Sequence, residues 1–283
     1  MQKIGILVDT TCDLDLEIQH QDPNIKIVPL QIIFNDSRTF RDKYEISYNE
    51  MIAALDKFEA KTSLPTIQDT VNALDIFVEQ GYTHIFTLAL SDSLSGTHGM
   101  IKTVSEDYSD RLIIENIDTR SVSMGIGALV TDALQMINDG KSFEEISAFL
   151  NRKVRNRDVF FAVETLKYLI RGGRIGKLSG TVGEALDIKP IIMLDREGKL
   201  VSKDKVRGRK KSIARLVELV EEASAGKEIE RVFVLHGARE EEALILKEKL
   251  VEKITAPIEL NHLGALVSVH VGPGLVGAFV LYK

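Results

Sequence analysis

Four hydroxyls stand within seven residues at Ser91-Asp92-Ser93-Leu94-Ser95-Gly96-Thr97, between the apolar run 83–90 and a helix-like stretch near 97–107. A segment that leaves the carboxyl end of a parallel strand and enters a helix lines the ligand crevice of an open α/β sheet. The helix start adds unpaired N–H groups and a partial positive charge, which attract carboxylates and phosphates. Gly96 lets a ligand approach the backbone closely. Taken singly, Ser95 or Thr97 reads as a helix cap and the other hydroxyls as solvated; taken as a cluster, they favour an anion site. Lys61-Thr62-Ser63-Leu64-Pro65-Thr66 follows the same logic more weakly, because Pro65 suits a first helical turn and Thr62 or Ser63 lies just before it. Alone it reads as a cap, but two such loops can converge on one anion.

The glycine-rich stretch Arg171-Gly172-Gly173-Arg174-Ile175-Gly176-Lys177-Leu178-Ser179-Gly180 invites a nucleotide-binding reading that its spacing refuses. A Walker loop needs glycine where Arg171 stands and Ser or Thr where Leu178 stands. Arg174 and Lys177 can still clamp a phosphate or carboxylate, and a purely structural glycine loop fits equally well. Near the end, His270-Val271-Gly272-Pro273-Gly274 precedes an apolar strand, which places an imidazole at a loop–strand junction. The six histidines show no metal-ligand spacing, so no metal site is expected. There is no Gly-x-Ser-x-Gly elbow, although Ser93 with His270 can be drawn as a nucleophile and its base. That pairing is the alternative reading: a serine-dependent hydrolase acting on a small anionic or lipid ester substrate.

These residues need elements to hold them. The apolar run 4–8 ends at Asp9-Thr10-Thr11, as a buried parallel strand meets a loop, and comparable runs recur at about 25–34, 83–90 and 112–117. Helix-like stretches lie between and after them, near 48–58, 66–80, 97–107, 121–138 and 142–155. The alternation predicts an α/β fold whose first domain, 1–156, is a three-layer, mostly parallel sheet. The second domain, 157–283, is expected to be a mixed sheet with helices. Its elements are strand 158–163, a hairpin 189–203 turning at Asp195-Arg196-Glu197-Gly198, helix 209–224, strand 230–235, helix 239–253 and strand 275–282.

Composition sets outer bounds. The chain has 283 residues, 44% of them hydrophobic and 28% charged, which suits about two globular domains. No window approaches the roughly 18 apolar residues of a membrane span, and MQKIGILVD runs straight into a strand, so a soluble cytoplasmic protein is expected. The single Cys12 excludes an internal disulfide and reads as a buried small hydrophobe. A net charge of −6 argues against nucleic acid as a partner, but it divides as −10 over 1–156 and +4 over 157–283. Much of the excess lies in Lys199, Lys203, Lys205, Arg207, Arg209, Lys210 and Lys211, either a solvated turn and helix start or a dock for an acidic or phosphorylated partner.

In order and spacing, Asp9-Thr10-Thr11-Cys12-Asp13-Leu14, Lys61-Thr62-Ser63-Leu64-Pro65, Ser91 to Thr97, Gly172-Gly173-Arg174-Ile175 and His270-Val271-Gly272-Pro273-Gly274 resemble the DegV family over essentially the whole chain. Members include fatty-acid-binding subunits of bacterial fatty acid kinase. The resemblance implies a non-catalytic, lipid-binding protein of bacterial phospholipid metabolism, with no cofactor. A long-chain fatty acid would be buried in an elongated pocket as its ligand, and its carboxylate would be presented to the kinase's catalytic subunit, with transient contact to a membrane surface. By motif, Thr62 and Ser93 would bond the carboxylate, with Ser63, Ser95, Gly96 and Thr97 around it and His270 as a third polar contact. Arg174, and more loosely Arg207, would meet the acyl phosphate or the kinase. Two positions depart from the family pattern: Thr66 stands where serine follows the proline, and His98-Gly99 replaces an aromatic pair. They bear on local packing and pocket shape rather than on the anion site.

Overall fold

A computed structural model describes residues 2–55, 57–176 and 188–283. They form two compact units: residues 1–154 with Gly264–Leu266, and Arg155–Leu263 with Val267–Lys283.

In the first unit, strands β1 (Ile4–Asp9), β2 (Ile25–Val28), β6 (His84–Ala89) and β7 (Ile113–Asp118) make a wholly parallel sheet in the order β2-β1-β6-β7. Every residue of β1 is buried, as a strand covered on both faces requires. After the short helices α1 (Ile18–Gln21) and α2 (Tyr48–Leu55), helices α3 (Ile67–Glu79) and α4 (Thr97–Glu106) pack Leu74, Phe77, Ile101 and Val104 against Leu7, Ile85 and Ala89. On the other face Phe86 stacks on Phe143 of α6 (Phe143–Lys153) at 4.2 Å, and α5 (Met124–Asn138) lies beside it. The result is the expected three-layer α/β arrangement.

The run 25–34 is two strands, not one. Pro29, which has no N–H for a ladder, ends the pairing with β1, and the chain leaves to form β3 (Gln31–Phe34) in a second, antiparallel sheet with β4 (Thr39–Arg41) and β5 (Ala60–Ser63). Asp42 follows β4 and is 1% exposed, its N–H bonded to Leu30 O at 2.9 Å. Burial pushes its carboxyl up to about 7, against the pull of the Thr10 hydroxyl and Lys43. A carboxyl raised in the folded state gives stability that is complete below its unfolded value near 3.8 and is lost as pH rises through about 7. Asp42→Asn, an uncharged mimic, is therefore expected to flatten the stability profile between those limits and to exceed wild type at pH 8. Urea midpoints at several pH values check this, and an unchanged slope in the variant rejects it.

The second unit is a six-stranded mixed sheet in the order β10-β9-β8-β13-β11-β12, from strands β8 (Arg157–Ala162), β9 (Ile188–Leu194), β10 (Leu200–Arg207), β11 (Ile229–His236), β12 (Ile258–His262) and β13 (Val276–Tyr282). Only β11 and β12 run parallel within it. Helices α8 (Arg209–Ser224) and α9 (Glu240–Val251) cover one face with Leu216, Val220, Leu246 and Leu250. The short helix α7 (Lys167–Arg171) and residues 267–271 of α10 (Ala265–Val271) complete the described part. His270 thus stands in the last turn of a helix, not at a loop–strand junction. The β-branched run before Gly272 conceals that helix in the sequence.

Candidate functional site

The parallel sheet changes direction at β1, since β2 lies on one side of it and β6 on the other. The loops leaving β1 and β6 therefore flank the crevice where open α/β sheets bind ligands. Asp9 ties the two together. It is fully buried, and its carboxylate accepts from Thr11 N at 2.8 Å, from the Thr11 hydroxyl, and from Leu90 N across the sheet at 2.9 Å. Burial raises its pKa, and those three bonds counter the rise. In the sequence the one mark of this scaffold is an acid closing an otherwise apolar strand.

Beyond Leu90 the chain turns tightly. Ser91 N donates to Ser121 O at 2.9 Å, while Ser91 O accepts from Leu94 N and Ser95 N at 2.9 and 3.1 Å, which leaves Ser93 exposed on the turn. The Ser95 and Thr97 hydroxyls bond one another at 2.9 Å, and Thr97 N donates to Ser95 Oγ at 3.3 Å. The N-cap of α4 is Gly96, which brings no side-chain acceptor; Ser95 Oγ takes the Thr97 N–H, and the positive end of the helix still attracts an anion. Neither Ser95 nor Thr97 is the cap.

Thr62 is half-buried in β5 opposite Ile32, and Ser63 is exposed opposite Gln31. Neither caps α3. That role belongs to Thr66, whose Oγ1 accepts from Asp69 N at 3.0 Å. Leu64, directly after this strand, lies near Gly96: a Cβ there would stand 3.9 and 4.0 Å from its methyl carbons, ordinary van der Waals spacing. The Thr62–Leu64 segment and the Ser93–Gly96 turn are thus neighbours at the start of α4.

The second unit holds the other candidates. His270 has its pKa lowered to about 4, first by burial and then by the charge of Arg174, so the imidazole is neutral at pH 7. Arg174 Nη1 donates to Gly172 O at 2.5 Å. Arg207 is exposed at the end of the edge strand β10, and Lys203 and Lys205 are exposed on the same strand. Arg209 is instead taken by Glu242 at 2.6 Å, which splits the basic run. Lys177, Leu178, Ser179 and Gly180 lie outside the described residues. A cleft of about 640 Å³ in this unit mixes charged residues such as Glu228, Glu230 and Lys253 with Ile229, Ile254 and Pro257, and holds none of the candidate residues. Among the described residues no group of His, Cys, Asp or Glu is arranged to hold a metal ion, and no helix is long and apolar enough to cross a membrane.

The family model described as "Uncharacterised protein, DegV family" matches residues 3–283. A DegV domain-containing protein of Clostridium acetobutylicum is 38% identical over 290 residues, covering 100% of both chains. A fatty-acid-binding DegV family protein from Thermus thermophilus has a solved structure with a TM-score of 0.90 at 27% identity, covering 100% of both chains. A stearic-acid-binding protein from Eubacterium ventriosum gives a TM-score of 0.86 at 27% identity, covering 100% of this chain and 99% of that one.

Proposed function

The chain belongs to the DegV family, and from that membership we propose that it binds a long-chain fatty acid, fixes the carboxylate on Thr62 and Ser93, and offers it to a partner kinase without catalysing the transfer itself. One observation carries this reading: the two hydroxyl-bearing segments lie near one another at the start of α4, beside the point where the parallel sheet changes direction. Similar proteins that bind fatty acids support it.

The energetics divide the work. Burying a methylene is worth roughly 0.8 kcal/mol, so a tail of about 15 carbons offers on the order of 10 kcal/mol before the cost of association. The tail gives affinity, and the hydroxyls and helix start decide where the head sits. In this proposal Ser63, Ser95, Gly96 and Thr97 shape the surroundings of the head. His270 keeps the part of third polar contact that the resemblance gives it.

Arg174 and Arg207 are assigned to the acyl phosphate or the kinase, and the exposed row Lys203, Lys205 and Arg207 supports an acidic or phosphorylated partner. Arg207→Ala is expected to leave oleate affinity within about twofold while lowering acyl-phosphate formation with a cognate kinase and ATP by about tenfold, the loss of one charge-assisted contact. Native mass spectrometry of protein purified from a bacterial host tests the binding itself. A long-chain fatty acid is expected on the chain; protein that carries none, and takes up none when oleate is supplied, overturns the proposal.

A further inference from the structure

Helices α7 and α10 end against each other through two glycines. A Cβ on Gly172 would lie 2.3 Å from His270 Nδ1, and a Cβ on Gly272 would lie 2.2 and 2.3 Å from Cδ2 and Cε2 of Tyr168. Each helix thus lays a ring on the glycine that follows the other. The two glycines differ in what requires them. Gly272 has φ +71, a left-handed conformation that favours glycine whatever the packing. Gly172 has φ −74 and ψ −7, which any residue adopts, so its backbone makes no demand. Space for the imidazole is the remaining reason for glycine at that position.

The same turn carries Arg174. Past Gly173, which has φ +71, Arg174 N donates to Leu169 O at 3.0 Å and its guanidinium to Gly172 O at 2.5 Å. The Gly172 backbone beside the His270 ring is therefore also held by the arginine.

Resting on the function proposed above, we infer that Gly172 and Tyr168 are positioning residues: the interlock of α7 with α10 fixes the His270 imidazole, and it acts on fatty acid affinity through that ring alone. A helix contact that served stability only would change folding and leave both the imidazole and its coupling to binding untouched.

A double-mutant cycle on the full chain separates the two. Oleate affinity is measured by displacement of a fluorescent polyene fatty acid for wild type, Gly172→Ala, Tyr168→Phe, Tyr168→Ala, His270→Ala and the pair Gly172→Ala with His270→Ala. Gly172→Ala is expected to weaken oleate about tenfold, the loss of one hydrogen bond to a charged group. In the His270→Ala background it should change affinity by less than about twofold, and Tyr168→Phe, which keeps the ring, should match wild type. The imidazole ¹⁵N shifts of ligand-free Gly172→Ala should move, with the ring titrating nearer its ordinary pKa of about 6.5. An equal loss in both backgrounds, or unmoved nitrogen shifts, overturns the inference. Should Gly172→Ala fail to fold, Tyr168→Ala takes its place in the same cycle. If wild type takes up no oleate, the functional reading fails, while the nitrogen shifts of the ligand-free variants still decide the interlock.

Discussion

Ser93→Ala and Thr62→Ala are each expected to weaken oleate binding by about 10- to 100-fold, the cost of removing a hydrogen bond worth roughly 1.5–3 kcal/mol to a charged group. Binding should survive in both, because the acyl tail supplies most of the free energy and neither substitution touches it. Acyl-phosphate formation should fall further than affinity does. A carboxylate held by one hydroxyl instead of two still occupies the protein but wanders from the geometry that phosphoryl transfer needs. The double variant should lose less than the sum of the single losses, since a head loosened by the first substitution is already held less well by the surviving hydroxyl. Displacement titrations give the affinities, and a coupled assay with kinase and ATP gives turnover. Two single variants with wild-type affinity and wild-type turnover would remove the two hydroxyls from the site.

The two halves of this site were unequally legible in the sequence. The Ser91–Thr97 segment announces itself, because a buried run that ends in hydroxyls and glycine before a helix is how a parallel strand delivers polar groups to a helix start. Thr62 does not. It lies in a four-residue strand, Ala60–Ser63, whose sheet exists only because Pro29 turns the chain out of the parallel ladder. Its nearness to Gly96 depends on Leu64, one leucine among many. Strand β12 is also hidden in the sequence, since Ile258–His262 is a short edge strand carrying Glu259, Asn261 and His262. The return of Gly264–Leu266 to the first unit left no compositional mark at all. The α/β class, by contrast, follows from the alternation of apolar runs with helix-period stretches. The all-parallel ladder was foreshadowed by β1 itself, a strand apolar on both faces.

Asp9 is where fold and site depend on one side chain, and its replacement is expected to have the largest effect on stability. Asp9→Ala removes an acceptor that three donors share: Thr11 N, the Thr11 hydroxyl and Leu90 N, all in a region closed to solvent. Each orphaned buried donor costs on the order of 1–3 kcal/mol, but a water entering the vacated space recovers part of it. A net loss of about 3 kcal/mol follows, a large share of a typical domain's stability. Asp9→Asn should lose less. An amide keeps one acceptor for Thr11, but it must turn either its second donor or an empty position toward Leu90 N. The urea midpoint of each variant measures the loss, with an unchanged denaturant slope confirming that the folded state kept its compactness. Because Leu90 opens directly into the Ser91–Thr97 turn, Asp9→Asn protein that still folds should also bind oleate more weakly, with no ligand contact altered. Stability within about 0.5 kcal/mol of wild type would mean that the bond from Leu90 to Asp9 does not hold the ends of β1 and β6 together.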